Sequence, residues 1–381
     1  MERATEIALL EELHGLKNSK LFYLDEVVHK SPVARYMSGA RFAAEKRDIF
    51  RTLPLIAAHS SELPEAGSFM TRDLAGLPLL LTRDKEMNIH AFLNVCRHRG
   101  SRLESEESGC KRAFSCPYHA WTWNNEGNLK GVPHQKQGFP DLDRDAYKLK
   151  RLPALEAAGV IWVVANPNAE PDFENYLGPI LKEFEWFGMP DMAIAASNTI
   201  TIKANWKMLV EGGIEAYHFK VAHRHTIGPH FLDNLSSYRE LGAHMRSVLP
   251  KNSLKSLKDM PQGDWKIREH SNVLYNVFPL DQFLLMEDHV AWISARPISA
   301  GETELRLSTM APSVEVAPEM MSHWKRNHQI TVATLMEDFD VNAAAQAGLE
   351  SGANEFLTFG RYEGALESFN KTVESFLGET D

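Results

Sequence analysis

The sequence predicts an α+β protein, and three observations predict it. Short apolar runs separated by turn residues fill the segment from about residue 40 to 166. Four further strand candidates lie between residues 273 and 310. Helical patterns occupy 4–16, 320–349 and 364–376, away from those runs. Strands grouped together and helices grouped elsewhere suit an antiparallel sheet with segregated helices, not strict β-α alternation.

Each element has a local reason. In residues 4–16, Ile7, Leu10 and Leu13 recur at helical spacing while glutamates fill the other face. Leu77–Thr82 and Ile89–Val95 are apolar runs on either side of the turn-forming Arg83-Asp84-Lys85-Glu86. A hairpin signal, Asn124-Asn125-Glu126-Gly127-Asn128, follows Trp121-Thr122-Trp123, and Val160–Val164 reads as a buried strand closed by Asn166-Pro167. Downstream, Ile200-Thr201-Ile202 precedes a helical stretch from about Trp206 to His218. Val273–Phe278, Gln282–Met286, Val290–Ala295 and Glu304–Met310 read as strands, the last two joined across Pro297–Gly301. Met320–Leu349 and Gly364–Phe376 read as helices, and no repeat or low-complexity segment interrupts them. The expected domains are a helical segment at 1–40 packing on the C-terminal domain, a β domain at 41–166 and an α+β domain at 167–381.

Composition narrows the function classes. With 44% hydrophobic and 24% charged residues in 381, the chain is globular, with room for two or three domains. Lys+Arg 41 against Asp+Glu 51 gives a formal charge of −10, a poor balance for nucleic-acid backbone binding, so no nucleic-acid partner is expected. No apolar run approaches the ~18 residues of a membrane span, and the start lacks a basic and then apolar secretory pattern. Three cysteines make no disulfide framework, so a reducing, cytoplasmic setting is expected.

Two constellations carry chemistry. Cys96-Arg97-His98 and Cys116-Pro117-Tyr118-His119 each follow a strand and are separated by 17 residues. Two thiolates and two imidazoles on paired loops suit zinc or an iron–sulfur cluster, although a zinc finger would group cysteines with cysteines and histidines with histidines. Cys110 is left over. In the second constellation, Glu211, Glu215 and His218 fall at i, i+4 and i+7, one face of a continuous helix. On a regular helix His225 shares the face of His218, whereas His223, five residues on, lies about 140° away. A break or π-bulge after His218 would favour His223 instead, and periodicity leaves both open.

The segment Asn94-Val95-Cys96-Arg97-His98-Arg99-Gly100 … Cys116-Pro117-Tyr118-His119-Ala120-Trp121, with Gly127 beyond it, resembles a Rieske [2Fe–2S] domain. Asn205-Trp206-Lys207 followed by Glu215-Ala216-Tyr217-His218-x4-His223 resembles the mononuclear iron motif of Rieske non-haem iron oxygenases. The resemblance departs at Gly212-Gly213, where a polar residue commonly follows the first carboxylate, and at Glu215, where Asp is commoner. It implies an N-terminal Rieske domain and a helix-grip (START-like) catalytic domain. It implies Cys96, Cys116, His98 and His119 as cluster ligands, with His ligation raising the potential to about −150 to +300 mV. It also implies His218 and His223 as iron ligands, leaving His225 and His230 outside. Two histidines and one carboxylate make a facial triad with open positions. Among Glu337, Asp338 and Asp340, the acidic pair ahead of Gln346 implies Asp338, with Asp340 next.

By the same resemblance the chain is a terminal oxygenase, taking electrons from a reductase or ferredoxin and using O2 on a small organic substrate. A head-to-tail homotrimer is implied, with Glu215 accepting a hydrogen bond from His119 of the partner subunit and so bridging the two centres. Aromatic ring hydroxylation is expected ahead of oxidative demethylation of a quaternary amine. Trp265, Tyr275, Phe283, Trp292 and Trp324 are candidates for an apolar pocket or a cation–π box, or for plain core. The alternatives are a Rieske electron-transfer protein, or a ligand-binding protein without a working mononuclear iron.

Overall fold

The computed structural model describes residues 1–379. The chain forms two compact units, Phe50–Asn175 and the remainder, with Met1–Ile49 joining the segment from Tyr176 onward. The division falls nine residues later than expected at both ends. Buried Glu45 gives a physical reason at the first boundary. It accepts from Trp206 Nε1 (2.9 Å) and pairs with Lys207, both also buried, which ties the segment before residue 50 to the second unit.

The Phe50–Asn175 unit is built on antiparallel β-sheets with a few short helical turns. Its five-stranded sheet runs Arg151–Leu152, Ile89–Leu93, Leu77–Arg83, Ser68–Leu74, Ser108–Cys110. A three-stranded sheet sets Val160–Val163 between Ala154–Ala157 and Leu55–His59, and another sets Thr122–Asn124 between Ala113–Ser115 and Leu129–Gly131. Phe69, Phe92, Phe114, Trp121 and Trp123 pack around buried Cys96 and Cys116. Gly127 closes its turn at φ +80°, and a Cβ there would meet Phe92 Cε1 at 2.5 Å, so only glycine fits.

The other unit is built on a seven-stranded antiparallel sheet. Its strands are β1 (Met192–Ile202), β2 (Ser237–Leu241), β3 (His244–Pro250), β4 (Ser271–Val277), β5 (Asp281–Leu285), β6 (Val290–Ser299) and β7 (Glu302–Pro312), in spatial order β1-β7-β6-β5-β4-β3-β2. The Met321–Glu350 helix packs on β1, β7 and the Trp206–Ile214 helix, giving the expected helix-grip arrangement. The Arg3–Asn18 helix buries Leu9, Leu10 and Leu13, and Glu6 accepts from Ile267 N (2.8 Å). Among the described residues, no helix is long and apolar enough to cross a membrane.

One expectation is corrected. The helix expected to reach His218 ends at Ile214, and Glu215 is extended (φ −123°, ψ 166°) before a short Phe219–Ala222 helix. Two causes act together. Gly212-Gly213 is a weak helical pair, and a Cβ on Gly213 would stand 2.6 Å from Gln282 Oε1, so the backbone lies hard against β5. The Glu215 carboxylate then accepts from the Tyr217 and His218 N–H groups, a local bond that competes with helix continuation. Glu211 and Glu215 therefore do not share a helical face. Glu211 is buried and accepts from Tyr36 Oη (2.8 Å) and Asn370 Nδ2 (2.7 Å).

Candidate functional site

The two Cys/His loops have one backbone plan repeated. Cys96 N donates to Ser101 O (2.8 Å) and Gly100 N to Cys96 O (3.0 Å). Twenty residues on, Cys116 N donates to Trp121 O (2.8 Å) and Ala120 N to Cys116 O (2.9 Å). Each turn closes through a positive φ, +76° at Gly100 and +55° at Ala120. The cysteines are buried, His119 is exposed, and the His98 and His119 ring centroids lie 4.7 Å apart. The His98 ring stacks on Trp121 at 4.7 Å, 5° from parallel, and its Nδ1 is buried without a hydrogen-bond partner among the described residues. Burial, then His119 and Arg99, lower the His98 pKa and favour the neutral imidazole a metal requires. Burial raises the Cys96 thiol, against backbone N–H bonds from His98 and Arg99 that favour a thiolate. Cys110 stands apart, exposed at the end of the Ser108–Cys110 strand.

In the other unit, one ligand atom each from His218, His223 and Asp338 lie within 4.8 Å of one another. His223 Nε2 is 2.8 Å from Asp338 Oδ1. His218 Nε2 is 3.3 Å from the same oxygen and is buried without a hydrogen-bond partner among the described residues. A carboxylate backs each ring. Glu215 Oε1 holds Nδ1 of His218, and Glu337 Oε2 holds Nδ1 of His223 (2.7 Å) while accepting from Thr226 Oγ1 (2.6 Å). This fixes both Nδ1 atoms as donors and leaves both Nε2 atoms for a common point. Burial disfavours the His218 imidazolium, but Asp338 and Glu215 outweigh it and carry its pKa up to about 10. Burial likewise works against the Asp338 carboxylate, which the two histidines nevertheless hold below its usual range. Three groups that together attract positive charge suit a cation.

After the break at Glu215 the two histidines are placed differently. His223 is buried in the cluster, whereas His225 is exposed and accepts from Arg224 Nε (3.0 Å), and His230 is exposed. Helical phase separates the acids. Asp338 shares a face with Thr331, Thr334 and Leu335, whereas Asp340, two residues and about 200° further round, is exposed. Sequence reasoning did not assign Glu337 a role. Its adjacency to Asp338 was the available signal.

Asn205-Trp206-Lys207 sets the register. The Asn205 side chain caps the helix through Lys207 N (2.9 Å), and its backbone N donates to Gln346 Oε1 (3.0 Å). Gln346 lies two helical turns beyond Asp338, so this bond pins the long helix to the start of the helix that leads to the histidines. Beside His223 and Asp338 lies a cavity of about 140 Å³ between the sheet and the long helix. Gly212 and Gly213 are in its wall, and a Cβ on Gly213 would press on Gln282, another lining residue. Trp265, Tyr275, Phe283, Trp292 and Trp324 are not in the lining and are buried core.

Comparison with known proteins identifies two domains in the chain. A family model described as Rieske [2Fe-2S] domain matches residues 54–154, and one described as ring hydroxylating alpha subunit (catalytic domain) matches residues 189–379. The chain is 35% identical over 212 residues to the glycine betaine monooxygenase oxygenase subunit of Chromohalobacter salexigens, covering 55% of this chain and 45% of that protein. It is 34% identical over 193 residues to the carnitine monooxygenase oxygenase subunit of Escherichia coli K12, covering 50% and 51%. It thus spans about half the length of the curated relatives it matches. A quaternary ammonium Rieske monooxygenase solved with L-carnitine has the same fold, with TM-score 0.77 and 23% identity over 91% of this chain and 95% of that one. On these matches the chain belongs to the family of ring hydroxylating alpha subunits, with a Rieske [2Fe–2S] domain ahead of the catalytic domain.

Proposed function

We propose that the chain is the terminal oxygenase of a Rieske non-haem iron system, hydroxylating or oxidatively demethylating a small organic substrate. The observation that carries this is the convergence of His218, His223 and Asp338 at the wall of a largely apolar cavity. A pure electron-transfer protein has no use for such a triad, and a mere binding protein has no use for its orienting carboxylates. The donor sets fit both groups of the family. Two buried thiols and two adjacent imidazoles would hold [2Fe–2S], and two Nε2 atoms with one carboxylate would hold Fe(II). When bound, these groups supply one-electron transfer from an external reductase or ferredoxin and activation of O2.

The chain's own residues prepare that chemistry. Glu215 and Glu337 each hold a proton on Nδ1 of a histidine, so that Nε2 faces the metal position. The apolar walls exclude water, and the glycines make room for substrate. We assign Glu215 a second task in a head-to-tail homotrimer: accepting from His119 of the partner subunit, so that electrons cross between chains. A carboxylate offers about four lone-pair sites, and the bonds to His218 Nδ1 and to the backbone of Tyr217 and His218 occupy three. Exposed His119 is free to reach the remaining one.

The test is Glu215→Gln in the holoprotein. It should retain both metals and the trimer yet lose nearly all product, with the reduced cluster reoxidising far more slowly under O2 and substrate. Wild-type turnover would remove the bridge, and a chain without mononuclear iron would remove the oxygenase. The names of the relatives favour a quaternary amine, whereas the cavity lining favours an uncharged compound.

A further inference from the structure

Resting on the oxygenase reading, the cavity's chemistry points to a substrate class. Its lining contains no Trp, Tyr, Lys, Arg or Glu, and its one carboxylate is Asp338, already placed in the triad. A quaternary ammonium would find Phe219 and Phe339 but no aromatic box and no spare anion. The carboxylate of a betaine would find no cation. The size is equally restrictive. An apolar cavity of roughly 150 Å³ admits benzene, and this one measures about 140 Å³, room for a single ring.

Among the polar side chains of the wall, one carries a buried atom without a partner among the described residues. Asn272, on the cavity face of β4 with Leu274, is 8% exposed, and its buried Oδ1 has no hydrogen-bond partner among the described residues. Its neighbours are satisfied: Gln282 Nε2 donates to Val210 O (2.8 Å) and Thr334 Oγ1 to Ile330 O (3.1 Å). A buried amide oxygen without a donor is costly, and a ligand O–H or N–H would supply that donor. We propose that the site takes an uncharged single-ring compound bearing one hydrogen-bond donor, of phenol or aniline type, and that Asn272 orients it by accepting that bond.

The test is calorimetric titration of the anaerobic Fe(II) holoprotein with phenol, anisole, toluene and glycine betaine. Phenol should bind at least tenfold tighter than anisole, toluene or glycine betaine. Asn272→Leu should weaken phenol about five- to tenfold and leave toluene within twofold. Glycine betaine binding tighter than phenol would overturn the proposal, as would an unchanged phenol-to-toluene ratio in Asn272→Leu. The wild-type ranking is decisive without any variant. Iron counted on the same samples separates the two claims. Asn272-dependent phenol binding without mononuclear iron sinks the oxygenase and spares this inference. Full iron with product from glycine betaine alone does the reverse.

Discussion

The two candidate metal centres are held by different kinds of backbone. The Cys/His site sits on two turns that carry the same pair of backbone bonds twenty residues apart, each closed by a positive φ. Each of those turn bonds spans five residues or fewer. The His/His/Asp site spans elements 114 residues apart, as the His223–Glu337 bond shows. It depends on a helix break at Glu215 and on a tether of 141 residues' separation, Asn205 to Gln346. Turn chemistry can specify the first site locally. The second exists only once helix and sheet have packed.

The largest expected effect breaks the centres one at a time. Cys96→Ser should abolish the cluster's visible absorption and EPR signal while mononuclear iron stays, because the triad's candidate ligands, His218, His223 and Asp338, all lie outside the loops. Asp338→Ala should do the opposite, losing the single iron with the cluster spectrum intact. Asp340→Ala and His225→Ala should keep both, since each points away from the triad. Metal analysis with EPR checks all four. An empty triad in His225→Ala would mean the break at Glu215 is misread, and a colourless zinc protein would end the Rieske assignment.

Legibility in the sequence follows the same contrast. The loops were readable because ligand spacing is turn spacing, and the Leu77–Arg83 and Ile89–Leu93 strands flanking the first loop follow from alternation and turn residues. The long C-terminal helices emerge nearly at their expected limits. β2 and β3 were not legible, because their burial comes from neighbouring strands and not from their own pattern. The Phe173–Trp186 helix was hidden by Pro179. Glu211 read as part of an acidic stripe, because nothing local announces that Tyr36 and Asn370 will enclose it. The choice of His223 over His225 needed a break whose cause, Gly213 pressed on Gln282, is tertiary.

A smaller effect sharpens the comparison by asking how far the triad depends on its supports. Glu337→Gln keeps an acceptor for His223 Nδ1 and Thr226 but removes the charge. Substitutions of a carboxylate behind a metal-bound histidine cost about 10–100-fold in metal affinity. Fe(II) titration of the metal-depleted protein should show about a tenfold loss, with unchanged circular dichroism and an unchanged cluster spectrum. Full affinity would mean that packing alone orients His223. The exposed edge of Glu337 places the expected loss at the low end of that range.

The smallest effect separates the units by pH. Burial raises Glu211 and Asp281 in the sheet-and-helix unit to about 7, against hydrogen bonds from Tyr36 and Asn370 to the first and Trp292 to the second. Between their unfolded values and about 7, the folded protein binds more protons than the unfolded chain. Their stabilising contribution is therefore complete at acid pH and is lost as pH rises through about 7. Each unit of pH within that window costs about 1.4 kcal/mol per group, or about 3–6 °C in Tm for a domain of this size. Calorimetry of the holoprotein between pH 5 and 7 should show this unit's transition falling, with little further change above about 7. The window overlaps that of His244, whose burial lowers it to about 4 and whose effect has the opposite sign and offsets part of the fall. Both donors to Glu211 use Oε1, so Glu211→Gln keeps their bonds and removes only the titration. The variant should lose less Tm over this range than wild type. An equal fall in both would mean that Lys207, which works to lower Glu211, keeps the carboxylate ionised throughout.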